Sequence, residues 1–535
     1  MGWNLGDILD AIAPVLPDDA PALIHGERRA SWAEMTRRSN NLGRALFERG
    51  IEPGDHVAFY MRNRPEYVET LAAALKARLV HVNVNYRYQP HEVHYILDNS
   101  DAGVVVYDRE FRPVIEAIRV RLDKVRLFVE IGEDTASFAE PYEALAMEGD
   151  GAPLGIERSP DDILMVYTGG TTGMPKGVVW RHDDLRESQL AGERLKGPVA
   201  ETVPALAEAI RQAGPGSKLI PASPLMHGAA LYIGTTTLLA GGCIVTLEGP
   251  SFDAEELWSV VDRHRVDSLA IVGDAFARPM LRALEENPGR WDPSSVRLMI
   301  SSGAMWSAEI KRGLLRYMPA AALFDTFSAS EGIGFGSSTM TAAGQVQTAK
   351  FTLGTRCKVI DEAGKPVAPG SGRPGMVALG SPVPLGYYKD PAKTAETFRM
   401  IDGVRHSVPG DWCLVEADGS LTLLGRGSAC INTAGEKVYP EEVEEVLKTH
   451  ASVDDALVVG VPDEKWGHAV VGVVALAAGA GFDEASVREH VRGRLAGFKT
   501  PKRILVSEVK LRAPNGKADY KAVREFAAGR LTGSA

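Results

Sequence analysis

Short apolar strand-like segments alternate with amphipathic helix-like segments along the first part of this chain. Strand-like runs cover 55–60, 80–84 and 103–107, and helix-like runs cover 31–49, 66–79 and 90–97. Strands that alternate with helices favour a parallel sheet with helices on its faces. The same alternation recurs at 243–247, 268–272 and 297–301, which predicts a second sheet of the same kind.

The rest of the chain has a different organisation. Gly- and Pro-rich turns separate short strands between 358 and 422, a pattern that predicts a small β-barrel. A compact α+β block begins after Gly425. We therefore predict an α/β protein whose large N-terminal domain (1–425) holds two αβ-layered subdomains and the barrel. A hinge at 426–428 then leads to a small, mobile α+β C-terminal domain over 429–535.

Composition limits the classes of function. The 535 residues are 45% hydrophobic and 24% charged, the values of an ordinary globular protein, and the net charge of −11 argues against nucleic acid as a partner. The four cysteines lie far apart without metal-ligand spacing. The N-terminus carries acids where a signal peptide has basic residues, and no run reaches the ~18 apolar residues of a membrane span. The sequence predicts a cytoplasmic enzyme with no integral membrane segment.

The segment 167–179 is the most informative motif. It packs four glycines, three threonines and one lysine into a loop that follows the apolar run 163–166. Glycines let backbone N–H groups point inward around an anion, and hydroxyls and a lysine add donors and charge. Lys176 lies between Pro175 and Gly177, so the segment is not a standard P-loop, in which Ser or Thr follows the lysine. The candidate phosphate-binding residues are Thr168, Gly169, Gly170, Thr171, Thr172, Gly173 and Lys176.

This loop resembles the phosphate loop of the adenylate-forming superfamily, which includes acyl-CoA ligases, adenylation domains and firefly-type luciferases. The segment 327–331, Phe-Ser-Ala-Ser-Glu, occupies the place of that family's next motif. The resemblance implies that Phe327 stacks on adenine, that Ser330 faces the phosphates and that Glu331 holds Mg²⁺, with Ser330 beside it. It also brings Asp325, Ser328, Gly303 and Ala304 to the nucleotide pocket.

Three later motifs of the family follow in order. Pro409-Gly-Asp411 and Leu424-Gly-Arg426 match segments whose aspartate and arginine bind the ribose. Lys517, in the segment 512–517, matches the late lysine that contacts the reacting carboxylate and the α-phosphate. The catalytic residues implied by the resemblance are Lys517, Glu331, Thr168 and His227, and the implied cofactors are ATP, Mg²⁺ and the co-substrate CoA.

The resemblance also implies a CoA site. Gly435 matches a glycine that lines the pantetheine tunnel, although Ala434 replaces the glycine that usually precedes it. The remaining candidates are aromatic side chains for the CoA adenine, cations for its phosphates and two residues beside Gly435. They are Trp466, Phe498, Lys499, Arg87, Glu436 and Lys437. In the family, rotation of the C-terminal domain presents Lys517 for adenylation and then the face around Gly435 for thioester formation.

The carboxylic acid is indicated by its expected pocket. His227, in the segment 224–228, matches a histidine that gates the acyl site. Small residues at Gly228, Gly273, Gly303 and Ala329 leave room for a large apolar group, while Asp274 could sit near the pocket mouth. Segments at 82–88, 273–275, 386–390 and 426–428 resemble actinobacterial lipid and steroid side-chain CoA ligases. We therefore expect a medium- or long-chain fatty acid or a steroid side-chain acid.

Three alternatives stay open. The chain could be a freestanding adenylation enzyme that loads an acyl group on a carrier protein, or a CoA ligase for a compact aromatic acid. A non-catalytic nucleotide-binding protein is disfavoured because Glu331, Asp411, Arg426 and Lys517 are all retained. A homodimer is also left open.

Overall fold

The computed structural model describes residues 2–168, 174–194, 197–344, 350–426, 430–433, 436–463, 467–495, 497–513 and 516–532. The side chains at 426, 432, 436, 437, 467 and 532 lie outside that description. The chain forms two compact units. The first comprises Met1–Gln347 and Leu379–Ser407, and the second comprises Thr348–Ala378 and Val408–Ala535.

Helices of the first unit cover both of its sheets. They are α1 (Leu5–Ile12), α2 (Trp32–Glu48), α3 (Pro65–Lys76), α4 (Pro90–Asn99), α5 (Arg112–Ile118), α6 (Tyr142–Met147), α7 (His182–Arg194), α8 (Val203–Ala213), α9 (Gly228–Leu239), α10 (Ala254–His264), α11 (Gly273–Glu286), α12 (Ala308–Tyr317) and α13 (Pro391–Thr397).

The first sheet is parallel except at its two ends. Its strands are β1 (Pro21–His25), β2 (Arg28–Ser31), β10 (Lys218–Pro221), β11 (Cys243–Thr246), β12 (Ser268–Ile271), β13 (Leu298–Ser302), β14 (Ala322–Ala329) and β15 (Gly332–Met340). They run in the order β2-β1-β11-β10-β12-β13-β14-β15. Only the β1–β2 and β14–β15 pairs among these strands are antiparallel.

The second sheet is also mostly parallel. Its strands are β3 (His56–Tyr60), β4 (Val80–Asn83), β5 (Ala102–Asp108), β6 (Leu127–Ile131), β7 (Glu140–Pro141), β8 (Ile163–Thr168), β9 (Lys176–Arg181) and β19 (Gly386–Tyr387). Their order is β19-β9-β8-β4-β3-β5-β6-β7, and the strands from β8 to β7 are parallel. The predicted pair of αβ-layered subdomains is confirmed.

Local sequence explains where the helices begin and end. Ser31 caps α2, its hydroxyl accepting from the Glu34 N–H at 3.2 Å, and the apolar side of the helix is buried. The predicted helix at 66–79 is shorter than expected and ends at Lys76. Arg78 has a φ of +59°, a left-handed conformation that a right-handed helix does not continue through.

The second unit joins short antiparallel strands to an α+β block. Its strands are β16 (Lys350–Leu353), β17 (Cys357–Ile360), β18 (Gly375–Gly380), β22 (Asp411–Val415), β23 (Leu421–Arg426), β24 (Ile431–Thr433), β25 (Glu436–Val438), β26 (Val453–Asp463), β27 (Gly467–Leu476) and β28 (Arg503–Val506). Its helices are α14 (Pro440–Lys448), α15 (Glu484–Arg492) and α16 (Tyr520–Thr532). Strands β20 (Phe398–Ile401) and β21 (Val404–Ser407) belong to the first unit, where β21 pairs with the end of β18 at Leu379 and Gly380.

The predicted hinge falls mostly outside the described residues, since 427–429 are not described, and the domain division stays a prediction. No described helix is both long enough and apolar enough to cross a membrane. None of the four cysteines, all of which are described, forms a disulfide bond; Cys243 and Cys413 are buried, whereas Cys357 and Cys430 are partly buried. Burial raises the pKa of the Cys243, Cys357 and Cys413 thiols to about 12.

Candidate active site

A tight hairpin presents Ser330 and Glu331. Strands β14 and β15 pair Ala329 with Gly332, so Ser330 and Glu331 are the two residues of the turn between them. Two side chains hold the Ser330 carbonyl: Trp180 donates its indole N–H at 3.0 Å and Tyr232 donates its hydroxyl at 3.3 Å. The tip backbone is therefore fixed by donors from β9 and α9.

The Glu331 carboxylate is held separately. The residue is 8% exposed, and Tyr387 donates its hydroxyl to Glu331 Oε1 at 2.7 Å. Within the described part of the chain, Oε2 makes no hydrogen bond to protein. A buried carboxylate held through one oxygen leaves the other for a ligand.

Residues near this tip can hold a divalent cation only together with a ligand. The described residues contain no cluster of three or more His, Cys, Asp or Glu side chains arranged to bind a metal. Mg²⁺ is commonly bound through one or two carboxylates plus substrate phosphates. Glu331, with the neighbouring Ser330 hydroxyl, therefore fits Mg²⁺ that arrives with ATP.

The strands that border the phosphate loop are ordered by pairing. Thr168 ends β8 opposite Lys176, which begins β9. Lys176 forms an ion pair with Asp390, and this contact holds the pKa of the Asp390 carboxyl below its ordinary value. Gly169, Gly170, Thr171, Thr172 and Gly173 lie outside the described residues, so their phosphate contacts stay predictions.

The predicted adenine side of the site lies on β14. Phe327 is buried, with its ring centroid 5.4 Å from that of Phe335. Ser328 accepts from the Gly334 N–H at 3.2 Å through its hydroxyl. Asp325 is buried and forms a 3.0 Å ion pair with Lys311, which is also buried. This carboxylate is therefore engaged by another side chain of the protein.

Asp274 is engaged by neighbouring groups. Its Oδ1 accepts from the Ser307 backbone N–H at 2.9 Å and hydroxyl at 3.2 Å, and Arg278 lies 3.6 Å from Oδ2. Gly273 precedes it with a φ of +52°, and a side chain there would strike the Met305 carbonyl. Asp274 therefore holds the loop before α12 and is poorly placed to receive a substrate ammonium.

The start of α9 packs against the hairpin tip. His227 is the residue before α9, and its backbone N–H donates to the Pro224 carbonyl at 3.0 Å. A Cβ at Gly228 would lie 3.1 Å from Ser330 Oγ and 3.2 Å from the Tyr232 ring. Gly228 thus allows this close approach. Gly303, with a φ of +86°, and Ala304 lie in the turn after β13.

In the second unit, the two predicted ribose-binding residues are neighbours. Asp411 begins β22 and pairs in register with Arg426 at the end of β23. Asp411 is 7% exposed, whereas only the backbone of Arg426 is described. Antiparallel pairing therefore brings the two positions together, as the resemblance implies.

Lys517 lies on a small closed loop. The Ala513 N–H donates to the Lys517 carbonyl at 2.8 Å, and the Gly516 N–H donates to the Ala513 carbonyl at 2.8 Å. Arg512 anchors the loop through two hydrogen bonds to Asp455, of 2.7 and 2.9 Å, and one to the Gly516 carbonyl at 3.4 Å. Burial alone raises the pKa of Asp455, but hydrogen bonding and charge from Arg512 outweigh it and hold that pKa below its ordinary value.

The predicted CoA residues are only partly described. Lys499 forms an ion pair with Glu442 at 2.6 Å, and its ammonium lies 5.8 Å from the centroid of the exposed Phe498 ring. Gly435 and Trp466 lie outside the described residues, and the side chains of Glu436 and Lys437 are not described. These assignments stay predictions.

Arg87 lies over an aromatic ring. Its guanidinium carbon is 4.8 Å from the Tyr86 ring centroid, and that of Arg62 lies 4.7 Å from the same centroid. Arg87 Nη1 is buried without a hydrogen-bond partner among the described residues. Burial lowers the pKa of Arg87, as the neighbouring Arg62 also does. The Arg62 guanidinium is paired with Glu110 through hydrogen bonds of 2.6 and 2.9 Å, so Arg87 is the cation of the two that is left for an anionic ligand.

The residues that hold the site together are not apparent from the sequence. Tyr387 and Asp390 lie in the segment 386–390, whose one signal in the sequence is its resemblance to lipid ligases. Trp180 and Arg512 carried no signal beyond being a tryptophan on a strand and an arginine near Lys517. Each acts on a residue that the structure, and not the sequence, places beside it.

Comparisons with known proteins identify the family of this chain. The model of the AMP-binding enzyme family matches residues 9–388, and that of its C-terminal domain matches 442–517. A 3-oxocholest-4-en-26-oate–CoA ligase of Rhodococcus rhodochrous is 40% identical over 541 residues, which cover 98% of this chain and 96% of that protein. A medium/long-chain-fatty-acid–CoA/3-oxocholest-4-en-26-oate–CoA ligase of Mycobacterium marinum is 40% identical over 542 residues, with the same two coverages.

A solved structure shows the same fold over the full length. The ATP-bound MatB of Rhodopseudomonas palustris superposes with a TM-score of 0.82 at 26% identity, covering 98% of this chain and 99% of that one. The resemblance inferred from the motifs and the fold class inferred from the alternation of strands and helices are confirmed. The chain belongs to the AMP-binding enzyme family.

Proposed function

We propose that this protein is an AMP-forming acyl-CoA ligase for medium- or long-chain fatty acids or steroid side-chain acids. The observation that carries the proposal is the hairpin tip, where a buried carboxylate held through one oxygen lies beside Ser330 and the first turn of α9. Support also comes from the full-length similarity to ligases whose names specify these acids.

The chemistry proceeds in two steps. An oxygen of the substrate carboxylate attacks the α-phosphorus of ATP, and pyrophosphate leaves with the bond electrons to give an acyl adenylate. The sulfur of CoA then attacks the acyl carbon, AMP leaves, and the thiol proton passes to solvent or a base. No protein nucleophile is required, so the residues act by positioning and by stabilising charge.

Five of the predicted residues have roles in the adenylation step. Phe327 stacks on adenine, Asp411 accepts from the ribose hydroxyls, and Lys517 stabilises charge on the α-phosphate and carboxylate. Glu331 and Ser330 hold Mg²⁺, which when bound neutralises charge on the phosphates. These roles follow from the resemblance and are consistent with the burial of Phe327, Asp411 and Glu331.

A hydrophobic acid is favoured over an amino acid. The substrate ammonium of an amino acid requires a carboxylate in its pocket, and Asp274 already accepts two hydrogen bonds from Ser307. Gly228 and Gly273 are closely packed, since a Cβ there would lie 3.1 Å from Ser330 Oγ and 2.2 Å from the Met305 carbonyl oxygen, so the case for an apolar acid rests on the similar ligases named above. Arg87 offers an unsatisfied cationic nitrogen for a CoA phosphate.

Two alternatives are retained. A carrier-loading adenylation enzyme shares the first step and differs only in the thiol acceptor. A ligase for a compact aromatic acid shares both steps and differs in the shape of the acyl pocket. The cytoplasmic location and the homodimer stay predictions.

One screen separates these readings. Pyrophosphate release is measured with acetate, octanoate, a long-chain acid, benzoate and a steroid C-24 acid, with and without CoA, and products are separated chromatographically. We expect AMP, pyrophosphate and an acyl-CoA, with the highest kcat/KM for a fatty or steroid acid. ADP and phosphate as products would refute the ligase assignment, whereas a maximum at benzoate would support the compact aromatic alternative.

A further inference from the structure

The Tyr387 phenol makes a hydrogen bond whose purpose the proposed function leaves open. It donates to Glu331 Oε1 at 2.7 Å, and both side chains are buried. A hydrogen bond to a buried carboxylate is stronger than one between neutral groups, because the acceptor is charged. The contact therefore restrains the carboxylate about its last side-chain torsion, which is otherwise broad.

Backbone pairing holds Tyr387 in place. Strand β19 runs antiparallel to β9, with Tyr387 opposite Val178, and the Tyr388 N–H donates to the Gly177 carbonyl at 2.8 Å. The Tyr387 N–H donates to Thr394 Oγ1 at 2.8 Å. The phenol thus projects from a strand that is fixed to the strand following the phosphate loop.

The hairpin tip does not depend on Tyr387 for its backbone. Trp180 and Tyr232 hold the Ser330 carbonyl from other elements, β9 and α9. Removing the phenol hydroxyl therefore leaves the tip backbone held by these two donors and removes the hydrogen bond to the Glu331 carboxylate. Because the backbone and the carboxylate are held by different side chains, a loss of Tyr387 can be tested for an effect on the carboxylate separately from an effect on the fold.

We propose that Tyr387 is a positioning residue for Glu331, holding Oε1 so that Oε2 is available to Mg²⁺ bound with ATP. The inference rests on the proposed function, in which Glu331 is the metal-binding carboxylate. Mg²⁺ requires strict octahedral geometry, so its affinity is sensitive to how a ligand carboxylate is oriented. Partners that orient metal ligands typically change metal affinity 10- to 100-fold when they are removed.

The chain supplies a matched control next to Tyr387. Tyr388 donates its hydroxyl to Asp101 Oδ2, also at 2.7 Å. Tyr387→Phe and Tyr388→Phe therefore remove one phenol–carboxylate hydrogen bond each, one residue apart. Binding of ATP to the full-length protein is measured by isothermal titration calorimetry, first with saturating Mg²⁺ and then in excess EDTA.

We expect Tyr387→Phe to weaken binding of Mg·ATP about tenfold and to leave binding of metal-free ATP within twofold. Tyr388→Phe should leave both affinities within twofold of wild type. An equal loss for Tyr387→Phe with and without metal, or no loss at all, overturns the inference.

A double-mutant cycle with Glu331→Ala supplies the second test. If Tyr387 acts through Glu331, Tyr387→Phe produces no further loss of Mg·ATP affinity in the Glu331→Ala background. Additive losses overturn the inference. The proposed function is judged separately: wild type that binds Mg·ATP but releases no pyrophosphate with any acid contradicts the ligase assignment, while the binding comparison still decides the role of Tyr387.

Discussion

Breaking the pair between Arg512 and Asp455 should slow adenylation without slowing thioester formation. The pair ties the loop that carries Lys517 to β26 through hydrogen bonds of 2.7 and 2.9 Å, and the two side chains are 20% and 23% exposed. Lys517 is proposed to act only in the first half-reaction. Displacing its loop should therefore affect that half-reaction alone.

The magnitude follows from the geometry. Removing one partner of a buried ion pair costs about 3–5 kcal/mol, and the partial exposure of this pair lowers the expected loss of unfolding free energy for Arg512→Ala to about 2–3 kcal/mol. A displacement of about 1 Å of a catalytic group can cost about 100-fold in rate. We expect adenylation to fall about 10- to 100-fold. Asp455→Asn retains one acceptor oxygen, so its adenylation rate should lie between those of Arg512→Ala and wild type.

Two assays and one control complete this experiment. Adenylation is followed by pyrophosphate release, and thioester formation is followed from a supplied acyl adenylate, both at a temperature where the variants are folded. Arg503→Ala is the control, because Arg503 pairs with Glu484 at 3.2 Å in the same unit with its side chain 51% exposed. It should change stability by less than about 0.5 kcal/mol and leave both rates unchanged. Equal slowing of both half-reactions by Arg512→Ala would refute the reasoning.

Three further predictions address the second unit and the acid. Lys517→Ala should slow adenylation about 10²–10³-fold and spare thioester formation from supplied acyl adenylate. Gly435→Leu should slow thioester formation and spare adenylation. Equal loss of both half-reactions in both variants would contradict domain rotation. Burial raises the pKa of Glu444 to about 8, so its carboxyl stays protonated when folded but ionises when unfolded. The free energy of unfolding should therefore fall by up to about 1.4 kcal/mol per pH unit between about pH 4.5 and 8, and Glu444→Gln should remove that slope in urea titrations across this range. Lengthening a fatty acid by four carbons should raise kcat/KM by up to about two decades, since each buried methylene contributes about 0.8 kcal/mol. A fall in kcat/KM as the chain is lengthened from acetate would contradict a roomy pocket.

The sequence predicts the layers of this fold well because its buried strands are short apolar runs separated by amphipathic helices. It predicts the end of α3 less well, since the left-handed conformation of Arg78 leaves no mark in the periodicity. Motif order also identifies Glu331 and Lys176 as candidates. Their partners, Tyr387 and Asp390, lie 56 and 214 residues away in the sequence, and tertiary contacts that include the pairing of β19 with β9 bring them near.

In the candidate site, too, some features follow from the sequence and others depend on tertiary contacts. Asp411 and Arg426 are matched by motif, and their pairing across β22 and β23 follows once the register is known. Asp274, in contrast, is a lone acidic residue in the sequence. Its hydrogen bonds to Ser307 depend on how α11 meets the loop before α12, which no local pattern encodes.

The burial of the cysteines makes a simple assay practical. A thiol with a pKa of about 12 is ionised in about one molecule in 10⁴ near pH 8, and the thiolate is the form that reacts with disulfide reagents. Cys243, Cys357 and Cys413 are in this state and should react slowly, and Cys430 is the remaining protein thiol. The disappearance of free CoA can therefore be followed colorimetrically with a disulfide dye on the unmodified enzyme, and a Cys430→Ser variant provides the blank.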